Sequence, residues 1–352
     1  MQHIIEQFSQ SIRIAGATQS PLRIQGSGSK SFYGRTVQGT LLDVTPYRGI
    51  ESYESTELVL TARAGTPLAE IEAALAARRQ MLPFEPPHFG AGATLGGCIA
   101  AGLSGPRRAY AGSARDYVLG VRMLDGSGED LRFGGEVMKN VAGYDVSRLL
   151  AGSLGTLGLL LEVSMKVLPL PAEELTLRFE MGEAAALDKM NRWAGQPYSL
   201  SATCYHDGEL IVRLSGAAAA VKSVRQKLGG EEVKDAAAFW HSVREQQHGF
   251  FAAAKTLWRL SLPSSAASVS LAGPQLIEWG GAHRWLASDA APEAIRQAAT
   301  ALGGHAMLFR SGSAIDQPFQ PLSAPLFAIH KRLKQHFDPH NIFNPGRMYS
   351  EL

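Results

Sequence analysis

Residues 90–105 read GAGATLGGCIAAGLSG, and Arg107, Arg108, Gly112, Arg115 and Asp116 follow closely. Small residues let a backbone approach a ligand, and amides exposed in turns and at helix starts are donors for an anion. Glycine costs a helix about 1 kcal/mol relative to alanine. Gly96 and Gly97 in a helical pattern therefore mark a close approach, either by a phosphorylated cofactor or by a neighbouring element.

Two further glycine clusters flank this stretch in the chain. Residues 26–31, GSGSKS, follow the short apolar strand 22–24. They lack the third glycine of a Rossmann fingerprint, and Lys30 is not preceded by the glycine of a P-loop. Read alone, they fit a hairpin turn as well as a diphosphate cradle. The third cluster, GSLGTLG at 152–158, precedes the apolar run 157–167. Three clusters in this order point to phosphate binding more firmly than any one of them.

Composition narrows the field. The chain has 352 residues, 45% hydrophobic and 19% charged, with a net charge of +2. It is long enough for two domains, and it lacks the basic footprint of nucleic-acid binding. Cys98 and Cys204 are too few for a cysteine-ligated iron–sulfur cluster or a disulfide framework, which suits a reducing compartment. Neither a signal peptide nor a membrane span can be drawn, so the expected location is cytoplasmic, with membrane contact only through a complex.

The predicted fold class is α+β. Residues 1–171 alternate short apolar runs (40–44, 57–61, 117–124, 157–167) with glycine-rich turns, and 67–81 reads as a helix with Leu68, Ile71 and Leu75 on one face. Prolines at 169 and 171 mark a boundary. Residues 172–325 read as a smaller domain with an antiparallel sheet: strands at 175–180, 200–205, 209–214, 257–262 and 275–280, and helices at 183–194 and 217–228. Residues 326–352 are a helix over 326–337 and a tail turn. No internal repeat is visible.

At this point the chain resembles the FAD-binding domain shared by vanillyl-alcohol oxidase and the flavin-dependent 2-hydroxyacid dehydrogenases, the PCMH-type domain. The matching residues are GSGS at 26–29, AGTPL at 64–68, ATLGG at 93–97, GSARD at 112–116 with VLG at 118–120, KNVAGYD at 139–145, and 152–158. Residues 258–263 and NPGR at 344–347 are similar to the carboxy-terminal part of the group. Within it, the chain is similar to the smaller FAD-binding subunits of glycolate oxidases.

The resemblance implies FAD held in extended form, and the candidate contacts in and around the glycine clusters are Gly26, Ser27, Gly28, Ser29, Thr94, Gly96, Gly97, Gly102, Ser104, Gly105, Gly112, Asp116, Gly155 and Gly158, with Arg107, Arg108 and Arg115 as candidates to balance its charge. It also implies oxidation of a 2-hydroxyacid alongside a larger FAD-binding subunit and an iron–sulfur subunit. No histidine follows the first glycines, so FAD is expected to be noncovalent. The His-x-Gly-Asp-Gly-Asn-x-His motif of larger members has only HDGE at 206–209 as a counterpart, so no metal is expected. Leu154 stands where those members carry an acidic residue.

A 2-hydroxyacid needs a cation for its carboxylate and a base for its hydroxyl proton. Arg259 and Arg310 are the candidate clamps, because guanidinium pairs bidentately with carboxylate. His241, His283, His305 and His330 are candidate bases that no motif separates. Trp279 with Trp285, and Phe239 with Trp240, suit a partner surface or a core. Two other functions remain open: an autonomous FAD-dependent dehydrogenase of D-lactate or a similar acid, and a flavin-free structural subunit.

Overall fold

A computed structural model describes residues 1–135, 145–312 and 316–352. Residues 139–144 of the expected KNVAGYD motif lie outside them. The chain opens with the helix Gln2–Thr18, whose Ile5, Phe8, Ile12 and Ala15 are buried along one stripe, and it stops at Gln19 in the left-handed region (φ 49°). Strand Leu22–Gln25 then pairs in parallel with Thr40–Asp43.

A five-stranded antiparallel sheet carries the first domain, in the order Ile50–Glu54, Val59–Arg63, Leu159–Lys166, Val118–Leu124, Asp130–Gly134. Val118–Leu124 and Leu159–Lys166 are buried along nearly their whole length, which is why both read as continuous apolar runs. The expected helix 67–81 is shorter: it spans Leu68–Ala76, and Gln80–Met81 leaves to pair with Leu168–Pro169.

The second sheet has eight antiparallel strands, and its order reveals a repeat that the sequence conceals. Glu173–Glu180, Leu200–His206, Glu209–Gly216 and Glu231–Glu232, with helices Glu183–Ala194 and Ala218–Leu228, form a βαββαβ unit of spatial order 4-1-3-2. Leu257–Ser261, Gln275–Glu278, His283–Ala287 and His305–Arg310, with helix Pro292–Ala301, repeat that order, except that an irregular segment replaces the first helix. The halves join where Leu200–His206 pairs with Gln275–Glu278. A repeat of strand order needs only the same pattern of faces, so it leaves no repeated residues to find.

The last helix, Ala324–Phe337, returns to the first domain. Its buried Lys334 donates to the carbonyls of Thr156 and Phe343 and to the Asp338 carboxylate, at 2.7–2.8 Å. Phe337, Ile342 and Phe343 complete the first domain's core. Both ends of the chain thus converge on the strand Leu22–Gln25, whose Leu22 amide donates to Ile342 O at 2.7 Å.

Candidate functional site

The strand Leu22–Gln25 ends at a cleft of about 790 Å³ lined by residues 23–31, Thr94, Gly97, Leu154, Asn344 and Arg347. A second hollow of about 470 Å³ continues from it past Gly26, Thr94 and Gly97 to Val44, Gly155 and Gly158. Around the first loop, the amides of Ser27, Gly28 and Lys30 have no internal acceptor among the described residues, while Ser31 N donates back to Gly28 O at 2.9 Å. Gly28 takes φ +78°, a conformation that L side chains rarely adopt. A Cβ on Gly26 would stand 2.4 Å from Thr94 Oγ1, so glycine lets the two loops meet there.

The stretch 90–105 behaves differently. Thr94 caps the helix Leu95–Ala101, accepting from Gly97 N. Leu95 N donates to Thr66 O, Gly96 N to Ala64 O, Gly102 N to Cys98 O and Gly105 N to Phe84 O. A Cβ on Gly96 would lie 2.8 Å from Ala64 Cβ, one on Gly102 2.9 Å from the Gly152 backbone, and one on Gly105 2.3 Å from Glu85 O. Gly96, Gly102 and Gly105 thus serve packing between elements and the amides along this stretch are spent within the protein, while Gly96 and Gly97 line the hollow beside the first loop. Gly158 is also a packing glycine, 2.0 Å by the same measure from Met123 Cε.

The tail closes the cleft. Asn344 Oδ1 accepts from Ile24 N at 2.9 Å, and its Nδ2 donates to Leu154 O at 2.8 Å, tying the first strand to the third glycine cluster. Arg347 donates to the carbonyls of Arg35, Lys30 and Ser31. Among the described residues it has no carboxylate partner, and burial holds its pKa down at about 10. Lys30 is the loop's own cation, donating to His88 O at 3.2 Å. Lys30 and Arg347 carry positive charge beside the free amides, and the NPGR and GSGSKS strings were the signals for them. A diphosphate fits this donor set: bare amides, hydroxyls and unneutralised cations, with room along the joined hollows.

The remaining basic candidates are engaged elsewhere. Arg107 is 7% exposed. Its Nε donates to Glu85 at 3.3 Å and its Nη2 bonds Glu174, while Arg213 reaches the same Glu85 at 2.8 Å. This cluster joins the two domains, so Arg107 is corrected from a phosphate contact to an inter-domain fastener. Gly112, Arg115 and Asp116 also lie off the cleft: Gly112 takes φ +107°, Asp116 forms a capping box with Ser113, and Arg115 donates to Ala151 O at 3.1 Å. Ser104 Oγ accepts from Ala114 N.

Arg259 and Arg310 part company. Arg310 donates to Phe251 O at 3.2 Å and approaches Gln246 at 3.5 Å, a tie within the second domain that corrects its expected role as a clamp. Arg259 instead enters a cavity of about 340 Å³ between the domains, facing Ser104 and Gly105. There it meets His283, Glu278 and Trp285, a grouping invisible in the sequence. The other candidate bases stay outside this cavity: His241 belongs to a separate opening with Arg213 and Arg244. His206 to Glu209 is a hairpin turn, with Asp207 and Gly208 at φ 48° and 83°. Among the described residues no group of three or more His, Cys, Asp or Glu is placed to hold a metal, and no helix is long and apolar enough to cross a membrane.

A profile described as an FAD binding domain matches residues 3–134, and one for the C-terminal domain of FAD linked oxidases matches residues 321–348. Glycolate oxidase subunit GlcE of Escherichia coli (strain K12) is 55% identical over 351 residues, covering 100% of this chain and 98% of that one. Glycolate oxidase subunit GlcD of Bacillus subtilis (strain 168) is 31% identical over 51% of this chain and 39% of that one. D-lactate dehydrogenase of Archaeoglobus fulgidus is 32% identical over 47% and 37%. Among solved structures, alkyldihydroxyacetonephosphate synthase superposes with a TM-score of 0.67 at 15% identity, over 97% of this chain and 74% of that one, a likeness of fold. The cleft's donors, the matched FAD-binding profile and the whole-length identity agree, and the chain belongs to the glycolate oxidase subunit GlcE family of FAD-binding proteins.

Proposed function

We propose that this chain is the FAD-binding subunit of a glycolate-oxidising complex, turning glycolate into glyoxylate beside a larger FAD-binding subunit and passing electrons to an iron–sulfur subunit. The whole-length likeness to a glycolate oxidase subunit supports the activity and the membership of a complex. The same reading assigns residues 1–171 to the cofactor domain, 172–325 to the smaller domain and 326–352 to the closing helix and tail, in a cytoplasmic protein that reaches the inner membrane only through its complex.

The observation that carries the reading is the loop 26–31, with free amides in a cleft shut by Asn344 and Arg347. FAD bound there supplies a two-electron acceptor for the acid. Ser27, Gly28 and Lys30 hold the diphosphate by their amides, Ser27 and Ser29 add hydroxyls, and Arg347 and Lys30 balance its charge. Thr94 fixes the facing helix, while Gly97, Gly155 and Gly158 keep the floor low. Hydrogen bonds to a charged group contribute about 1.5–3 kcal/mol each. A structural subunit without flavin would not need unpaired amides beside two cations. The loop holds no cysteine or histidine, and Cys98 is a buried thiol pushed up to about 12, so the cofactor is held without a covalent bond.

The test is the visible spectrum of the purified chain, followed by anaerobic titration with glycolate. A flavin band that survives desalting and is released by denaturation supports noncovalent FAD, and a colourless protein that takes up no FAD refutes it. Bleaching by glycolate would place substrate oxidation in this chain. A band that persists until the larger subunit is added would place it in the complex.

A further inference from the structure

The inter-domain cavity is lined by Ser104, Arg244, Gln246, Arg259, Glu278 and His283, polar side chains that the cofactor cleft does not use. Arg259 makes no ion pair among the described residues, unlike Arg107 and Arg213, which share Glu85 and Glu174. Its Nε donates to His283 Nε2 at 3.2 Å, and its guanidinium lies 5.4 Å from the Trp279 ring centroid. Tyr33, from the loop following the phosphate cradle, also faces it. Opposite, His283 is 3% exposed, and its Nδ1 lacks a hydrogen-bond partner. The nearest carboxylate oxygen, Glu278 Oε2, is 3.7 Å from Nδ1 and accepts from Trp285 Nε1 at 2.8 Å.

These contacts assign the imidazole's roles. Nε2 faces an N–H of a guanidinium that is always protonated, so Nε2 carries the lone pair and Nδ1 carries the proton, turned toward Glu278. Burial first, then the charges of Arg259 and Arg108, hold the pKa of His283 well below its ordinary value, which keeps the ring neutral. Arg244 in the same cavity is paired with Glu245, whereas Arg259 makes no ion pair among the described residues and has only the buried, Trp285-bonded Glu278 as a nearby carboxyl group, so the cavity offers one unpaired cation beside one nitrogen that can only accept.

We propose that this cavity is a binding site for a short 2-hydroxyacid, in which Arg259 pairs with the carboxylate and His283 Nε2 accepts the hydrogen bond of the 2-hydroxyl group. This rests on the reading of the chain as a glycolate-oxidising subunit and deepens it, because it places acid recognition within this chain. A carboxylate on Arg259 competes for the guanidinium and releases Nε2 to a new donor. A hydroxyl group donates and an unsubstituted acid cannot, so His283 is the residue that separates glycolate from acetate. Phe89, Leu103, Val243, Trp285 and Phe309 close in around these polar groups, so the cavity has room only for an acid of two or three carbons.

Trp279 and Trp285 flank His283 with ring centroids at 4.1 and 4.5 Å, so indole emission reports on the site without turnover. The experiment titrates the flavin-loaded full chain, reduced beforehand with dithionite under argon, with glycolate and with acetate. Both anions are expected to change the emission saturably, glycolate binding about fivefold tighter or more, the worth of one added hydrogen bond. Arg259→Gln should weaken both at least tenfold, with Arg259→Lys recovering part of the loss. His283→Leu should bring the glycolate-to-acetate ratio to about one while acetate affinity is retained, and His283→Gln should give an intermediate ratio. A chain that keeps its flavin band but shows no saturable response, or a His283→Leu protein that still prefers glycolate, overturns the inference. Failure to bind flavin at all is the separate outcome that sinks the underlying reading.

Discussion

In the loop 26–31 the amides of Ser27, Gly28 and Lys30 have no acceptor among the described residues, whereas along the helix that begins after Thr94 those of Leu95, Gly96, Gly97 and Cys98 are all bonded within the protein. Both segments are glycine-rich and they face each other across one cleft. In the first, glycine opens the backbone to a guest. In the second, it removes a Cβ that would collide with Ala64, Gly152 or Glu85. Glycine density alone thus reports close approach and leaves open whether the approaching partner is a ligand or the protein itself.

Substitutions separate the two uses, and the packing glycines should show the largest effects. Gly105→Ala puts a methyl group 2.3 Å from a backbone oxygen that cannot turn aside. A loss of about 3 kcal/mol is expected in chemical denaturation of the apoprotein, at the upper end of overpacking. Gly96→Ala meets Ala64 Cβ at 2.8 Å, and about 1–2 kcal/mol is expected by the same measurement. In both proteins FAD affinity should fall only as far as folding does.

Gly28→Ala should behave in the opposite way. Its φ of +78° costs an alanine about 1 kcal/mol, so the melting temperature of the apoprotein should move little. FAD binding, measured by fluorescence quenching, should weaken about tenfold as the cradle distorts. If Gly96→Ala lost FAD with its stability intact, or Gly28→Ala unfolded without losing FAD, the two segments would not differ as described.

The smallest effect lies at the far end of the glycine stretch, where Ser104 and Gly105 wall the inter-domain cavity. His283 stays neutral when folded, because burial and Arg259 lower its pKa from 6.5. The unfolded chain then binds a proton that the folded chain refuses, so this residue's contribution erodes as the pH falls through 6.5. His283→Gln should flatten the acid limb of the stability curve by about 1 kcal/mol between about pH 6 and pH 5. Glu278, pushed up to about 7 by burial, holds its proton longer when folded. It costs stability as the pH rises toward 7, and Glu278→Gln should relieve that loss.

Much of the architecture was written locally. The helix Glu183–Ala194 lies where its periodicity predicts, and Ala218–Leu228 and Ala324–Phe337 fall within two residues of expectation. Buried strands such as Leu159–Lys166 announce themselves as apolar runs. The N-terminal helix carries a regular stripe of Ile5, Phe8, Ile12 and Ala15 with polar residues on its other face, an amphipathic period that was also legible locally. His283–Ala287 and His305–Arg310 were missed because each mixes charged and aromatic residues in a short run.

The sequence by itself carried the resemblance to FAD-binding proteins of the glycolate oxidase subunit type, because short motifs and their order along the chain are local properties that can be matched without a fold. Only the tertiary structure decided which amides remain free, that Arg107 fastens two domains through Glu85 and Glu174, and that Arg259 rather than Arg310 enters a cavity with His283. Those outcomes depend on groups far apart in the chain, 128 residues for Arg213 and Glu85 and 320 for Ile24 and Asn344. Whether a charge or an amide is already paired is settled by what folding brings within about 3 Å of it, the range of a hydrogen bond.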